Sequence, residues 1–262
     1  MRAKSIFSTI AIFAFAFSLS AFARPWQGET NGDTTHWTGA MTSGQTLVIK
    51  NISGDIHVEP AAGDTADITA VKSGADADEI QISIKKTDEG VTACTIYPGN
   101  GNTCEHSHSD RDIHARVDYT VHIPRGVRLR AANVNGSVEA ENLSSNAEVS
   151  SVNGSVSVST TGWAEATSVN GSVHARLGSA DWPDELNFKS VNGNVDVTVP
   201  SSLNADIRFS TLNGRVTSDF PYTVAGGTSV GGHGTEVEGR IGSGGRRIEM
   251  TSVNGNLELR KQ

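Results

Sequence analysis

The 262-residue chain is poor in the things a compact enzyme is rich in: 36% of its residues are hydrophobic, 6% aromatic and 19% charged, with only two cysteines. Average domains are about 45–50% apolar, so a conventional α/β core is excluded. Basic charge is also short, with 21 Lys and Arg against 29 Asp and Glu and a net charge of −8. Phosphate binding needs a basic face, so no nucleic-acid partner is expected. Helical periodicity is missing throughout. What the chain does have is glycine, at 28 positions, together with abundant Val, Ile and Thr, which argue against disorder.

The first residues read as an export signal. Arg2 and Lys4 precede the apolar run Ile6–Phe17, and Ala21-Phe22-Ala23 supplies a small-x-small cleavage site. The run is short for a bilayer span, which needs about 20 residues. Residues 1–23 are therefore expected to be a cleaved signal peptide, leaving 19 basic and 29 acidic side chains, a net of −10, and no transmembrane segment. The product is expected in the periplasm or at the cell surface. Cys94 and Cys104 enclose a turn-rich loop of nine residues, which in an oxidising compartment predicts a disulfide.

A single phrase organises the second half. It runs Val134-Asn135-Gly136-Ser137-Val138, Val152-Asn153-Gly154-Ser155-Val156 and Val169-Asn170-Gly171-Ser172-Val173. It continues as Val191-Asn192-Gly193-Asn194-Val195, Leu212-Asn213-Gly214-Arg215-Val216 and Val253-Asn254-Gly255-Asn256-Leu257. The glycines are spaced by 18, 17, 22, 21 and 41 residues, and Thr228-Ser229-Val230-Gly231-Gly232 inside the last gap reads as a degenerate seventh copy. Such self-similarity is the mark of a repeat architecture. Asn and Gly tolerate positive φ, so each pair is expected to make a sharp corner. Alternating segments flank it, and a second turn falls midway, as at Thr160-Thr161-Gly162 or Pro200-Ser201-Ser202. An antiparallel meander satisfies this pattern, since Asn-Gly is a strong hairpin signal. A parallel solenoid suits it better, because identical corners at a steady period stack like on like.

The first half is less regular. Residues 24–45 are polar and expected to be loosely ordered. Leu47–Val58 looks like an early coil with Ser53-Gly54 at its corner, Ile80–Ile84 and Val91–Ile96 flank a hairpin turn at Asp88-Glu89-Gly90, and Val117–Pro124 leads into the repeats. The expected fold is all-β: a single-stranded β-helix or β-solenoid of about 20-residue coils over residues 46–262, with an N-terminal β-hairpin region and Asn-Gly repeats across 134–257.

The opening Ile49 to Val58, the strand ending Ile123-Pro124-Arg125-Gly126, and the Asn-Gly-x-Val coils together resemble the bacterial DUF4097 family of candidate adhesins and the related toastrack β-solenoid domains. The resemblance runs from about Leu47 to Leu259. It implies an extracytoplasmic β-helical protein, some members standing beside envelope-stress sensors, and it brings no catalytic residue with it.

Candidate sites are few. Gly227-Thr228-Ser229-Val230-Gly231 spells G-x-S-x-G but lies in the degenerate repeat, with no helix to follow as a hydrolase elbow requires. His106, His108 and His114, among Glu105, Asp110 and Asp112, are weak candidate ligands for Zn²⁺ or Cu²⁺ against the plainer reading of a solvated loop. Asp181, Asp184 and Glu185 share one turn, where a glycosidase needs opposed carboxylates. Trp163 and Trp182 fall in corresponding turns of neighbouring coils, so a sugar-binding platform is possible, with packing at the coil edge the commoner cause. No cofactor is expected. These features point to an exported, non-enzymatic solenoid that binds an envelope protein or glycan. The alternative is a polysaccharide-active β-helix enzyme.

Overall fold

A computed structural model describes residues 29–99, 101–105, 112–224, 229–230 and 234–262. The expected signal peptide, His106 and His108 lie outside the described residues. The first part of the chain forms β1 (Glu29–Asn31), β2 (Thr34–Ala40), β3 (Thr46–Lys50), β4 (Ile56–Pro60), β5 (Thr65–Ser73), β6 (Gln81–Thr87), β7 (Gly90–Ile96) and β8 (Arg116–Ile123). The repeats follow as β9 (Arg128–Asn135), β10 (Val138–Leu143), β11 (Ala147–Asn153), β12 (Val156–Thr160), β13 (Ala164–Asn170), β14 (Val173–Leu177), β15 (Glu185–Asn192) and β16 (Val195–Val199). The last part comprises β17 (Ala205–Asn213), β18 (Val216–Ser218), β19 (Tyr222–Val224), β20 (Ser229–Val230), β21 (Thr235–Ile241), β22 (Arg247–Asn254) and β23 (Leu257–Lys261). One turn of 3₁₀ helix, Ala77–Glu79, is the exception among the described residues.

The strands form two sheets of 11 and 12 members facing each other across one core. Each repeat contributes one strand to each sheet, and the Asn-Gly corner carries the chain across. Like stacks on like in parallel register: Val149 lies between Ala131 and Ala166, and Asn153 between Asn135 and Asn170. The parallel solenoid therefore holds and the meander does not. Alternation sets the faces, since successive side chains of a strand point to opposite sides. In β13, Ala164, Ala166 and Ser168 are buried while Val169 and Asn170 are exposed. The inward row Ile49, Ala131, Val149, Ala166, Phe188, Met250, Phe209 is buried throughout, thin in the middle coils and bulkier towards the end. Small residues suffice because the two sheets close on each other, which explains the low apolar fraction.

Coil order in space departs from order in sequence. Along the stack the coils run β7/β8, β3/β4, β9/β10, β11/β12, β13/β14, β15/β16, β22/β23, β17/β18. The C-terminal coil is inserted: β22 pairs with β15 on one side and β17 on the other, and β23 lies between β16 and β18. At the other end β3/β4 is likewise inserted between β7/β8 and β9/β10. Antiparallel strands terminate both ends, with β5, β2 and β1 extending from β8, β6 pairing β7, and β21 pairing β17.

Two expectations change. Ser229 and Val230 of the predicted seventh copy form β20, antiparallel to Thr235 and Glu236, rather than a parallel coil. The position beyond β17 is already taken by β21, so no coil can stack there. Residues 29–40, expected to be loose, are two strands, and Trp37 at 3% exposure anchors β2 in the core.

Candidate binding surface

The corner is where sequence, stacking and surface meet. Two residues before each repeat Asn, a small polar side chain points inward and donates to the glycine carbonyl of the neighbouring coil. Ser151 bonds Gly136, Ser168 bonds Gly154, Ser190 bonds Gly171, Ser252 bonds Gly193 and Thr211 bonds Gly255, all at 2.8–2.9 Å. Asn133 does the same for Gly54 with its Nδ2 at 2.6 Å. Buried carbonyls need such partners, because leaving one unsatisfied costs about 1–3 kcal/mol. This hydroxyl row was not singled out in the sequence, although its fixed offset from each Asn-Gly pair was a readable signal.

Asparagine makes the second row. Asn153 donates through Nδ2 to Asn135 Oδ1, Asn170 to Asn153, Asn192 to Asn170, Asn254 to Asn192 and Asn213 to Asn254, at 2.7–2.8 Å. Six carboxamides thus form one ladder along the exposed edge. The glycines serve close approach rather than the expected positive φ. Only Gly136 of the six has one, at 138°, and no ladder asparagine does. A Cβ at Gly154, Gly171, Gly193, Gly214 or Gly255 would collide with the carbonyl of the glycine stacked against it.

The third row is apolar and outward. Val134, Val152, Val169, Val191, Val253 and Leu212 are 36–47% exposed and follow one another along the same six corners. Strands stand about 4.8 Å apart, so the row spans roughly 24 Å. An unbroken apolar stripe beside an amide ladder is an unusual surface, since exposed hydrophobics normally occur singly.

A groove of about 870 Å³ opens at the other turns of the early coils. Gln45, the β6–β7 turn, Arg128, Arg130, Glu148 and Trp163 line it. Arg130 grips Glu148 at 2.9 and 3.0 Å, and Arg128 donates to the Gly44 carbonyl at 2.9 Å. Half-buried Trp163 sits here, whereas Trp182 is 2% exposed and its Nε1 donates to the Arg247 carbonyl at 3.2 Å. The two indoles do not make a shared platform. Trp182 fills the core below its turn.

On the outer face of the other sheet, titratable groups from five strands alternate. Asp67 joins His36 (2.7 Å) to His122 (3.7 Å), Glu59 joins His122 (3.8 Å) to His57 (3.0 Å), and His57 reaches Glu139 (3.4 Å). The hydrogen bond with Glu59 raises the affinity of His57 for its proton, against desolvation and with help from the Glu59 and Glu139 charges. His114, the described histidine of the candidate metal cluster, is exposed and lies 3.7 Å from Asp76. Among the described residues no group of His, Cys, Asp and Glu is arranged to hold a metal ion. Cys94 and Cys104 form the disulfide, with Cα atoms 5.6 Å apart and Cys94 buried. Asp181 of the acidic turn is ion-paired with Arg246. No helix among the described residues is long and apolar enough to cross a membrane.

Comparison with curated proteins gives no match. Two solved structures are similar at low identity. A candidate cell adhesion protein of Clostridium sporogenes is 13% identical with a TM-score of 0.44, the match covering 87% of this chain and 100% of that one. A candidate adhesin of Bacteroides fragilis is 12% identical with a TM-score of 0.35, covering 88% and 98%. The family model described as Toastrack DUF4097 matches residues 40–260, nearly the whole described solenoid. The chain belongs to the Toastrack DUF4097 family.

Proposed function

We propose that this chain is an exported, non-enzymatic binding module of the cell envelope whose contact surface is the corner face. The apolar row from Val134 to Leu212, lying beside the asparagine ladder, carries the reading. Such a face offers van der Waals contact from the valines, and the second N–H and lone pair of each carboxamide can pair with an extended neutral partner. A glycan strand or an extended envelope polypeptide has that form. Export is supported by Arg2, Lys4, the apolar run and Ala21-Phe22-Ala23, and by the Cys94–Cys104 disulfide, since such bonds persist in oxidising compartments. The enzymatic alternative is less well supported. Glu148, the carboxylate gripped by Arg130 in the groove, is tied up in an ion pair rather than poised for proton transfer.

The test is a glycan array and an envelope pull-down with the mature protein, alongside Val152→Asp and Val191→Asp variants. Retention of a ligand by the native protein and its loss in both variants supports the reading. Undiminished binding by both variants overturns the corner face as the contact surface. N-terminal sequencing after expression with the leader tests export, with cleavage expected after Ala23.

A further inference from the structure

An asparagine followed by glycine is open to deamidation because the glycine nitrogen carries no neighbouring Cβ to hinder it. That nitrogen attacks the Asn Cγ, the Cγ–Nδ2 bond breaks, and ammonia leaves with the amide proton. Water then opens the resulting succinimide to aspartate or isoaspartate. The six ladder corners have the same Asn-Gly chemistry, so the fold alone can distinguish them. We propose that Asn213 is the deamidation site of the ladder, the other corners being held against the reaction by the coil stacked on each.

The nucleophile decides it. Gly136 N–H donates to the Asn153 carbonyl, Gly154 to Asn170, Gly171 to Asn192, Gly193 to Asn254 and Gly255 to Asn213, at 2.9–3.1 Å. Gly214 belongs to the last coil of the stack, and among the described residues no acceptor meets its N–H. It is also the exposed glycine of the six, the other five being half-buried. The electrophile is held in the same way at the four interior corners, while at Asn135, which accepts one ladder bond, the Gly136 bond to the Asn153 carbonyl holds the nucleophile. Asn153, Asn170, Asn192 and Asn254 each donate one ladder bond and accept another, so their carboxamides are held on both sides. Asn213 donates to Asn254 and accepts none, and the nitrogen in that one bond is the one that leaves. The reaction at an interior corner requires a local opening that breaks all of these bonds, whereas Asn213 requires the loss of one. Sequence order assigns the terminal corner to Asn254-Gly255. The inserted C-terminal coil transfers that position to Asn213-Gly214.

The folded chain is incubated in warm, mildly alkaline buffer and each Asn-Gly peptide is quantified by mass spectrometry, with isoaspartate-specific methylation. Asn213 is expected to convert at least roughly tenfold faster than Asn153, Asn170, Asn192 or Asn254. Asn31-Gly32, in the turn between β1 and β2 and off the ladder, reports the rate of an unstacked pair. In concentrated urea the six ladder sites are expected to converge. The proposal is overturned if Asn213 is no faster than the other five ladder sites, Asn135 included, if Asn254 is the fast one, or if the ranking persists unchanged in urea.

Discussion

The hydroxyl of Ser190 donates to the carbonyl oxygen of Gly171, 2.9 Å away in the neighbouring coil. Ser190 is 3% exposed and Gly171 is half-buried, so the bond is largely withdrawn from water. Replacing Ser190 by Ala strands that carbonyl, with an expected loss of about 1–2 kcal/mol. Val191→Ala, one residue on and outward, is expected to stay within about 0.5 kcal/mol of the native chain. Urea unfolding of both variants makes the comparison. Equal effects would mean that the hydroxyl row is not a stabilising element.

Gly171 tests close approach. A Cβ there meets the Gly154 carbonyl, so Gly171→Ala forces two coils apart and is expected to cost roughly 2 kcal/mol or more. Gly63→Ala is the control. Its Cβ meets nothing within 4 Å, and a change below about 0.5 kcal/mol is expected. Thermal unfolding of the pair separates a steric effect from a general intolerance of alanine for glycine.

The disulfide ties β7 to the loop that follows it. Cys104→Ser with Cys94→Ser is expected to lower stability by roughly 2–3 kcal/mol, through the larger freedom of the unfolded loop. Thiol alkylation of the unfolded native protein should label neither cysteine without prior reduction. Labelling of both would show that the bond does not form.

His57 gives the chain a pH dependence of definite sign. Its folded-state proton affinity is raised above the ordinary histidine value by the bond to Glu59, so folding favours the protonated form. The stabilisation is full below about pH 6.5, where the unfolded chain is protonated too, and is lost as pH rises through the folded value. Urea midpoints between about pH 5.5 and 8 should therefore decline with rising pH, and His57→Gln should flatten that slope. A slope unchanged in His57→Gln would assign the dependence elsewhere.

Deleting residues 247–262 probes the insertion. In a coil stack that follows sequence order, losing the last coil removes one interface. Here β22 and β23 are each paired on both sides, and their removal leaves β15, β16, β17 and β18 with open edges in the middle of the stack. Unpaired edges invite aggregation. The truncated chain is expected to lose a single cooperative transition and to associate, as read by calorimetry and light scattering. A monomeric chain with one sharp transition would contradict that expectation.

Much of this architecture is written in short-range pattern. Period-2 alternation such as Ala147 to Val152, repeated Asn-Gly pairs and the spacing of Cys94 and Cys104 dictate strands, corners and a disulfide, because each depends on neighbours within a few residues. The hydroxyl row was as legible as the asparagines, since Ser168 keeps the same offset from Gly171 as Ser190 from Gly193. The chain from His36 to Glu139 was not legible, because its six groups come from five strands that only the sheet pairing brings together.

Stacking order was beyond the sequence for a related reason. Corners that are nearly identical can pair with one another in any order, and their side-chain pattern does not choose. Sequence by itself determined that Asn213 and Asn254 belong to the same kind of corner, with the same strands before and after. Only the tertiary structure decided that Asn254 lies inside the ladder, paired to both Asn192 and Asn213, while Asn213 stands at its end. The physical cause is the antiparallel strand β21, which occupies the edge of β17 and leaves the C-terminal coil the slot between β15 and β17.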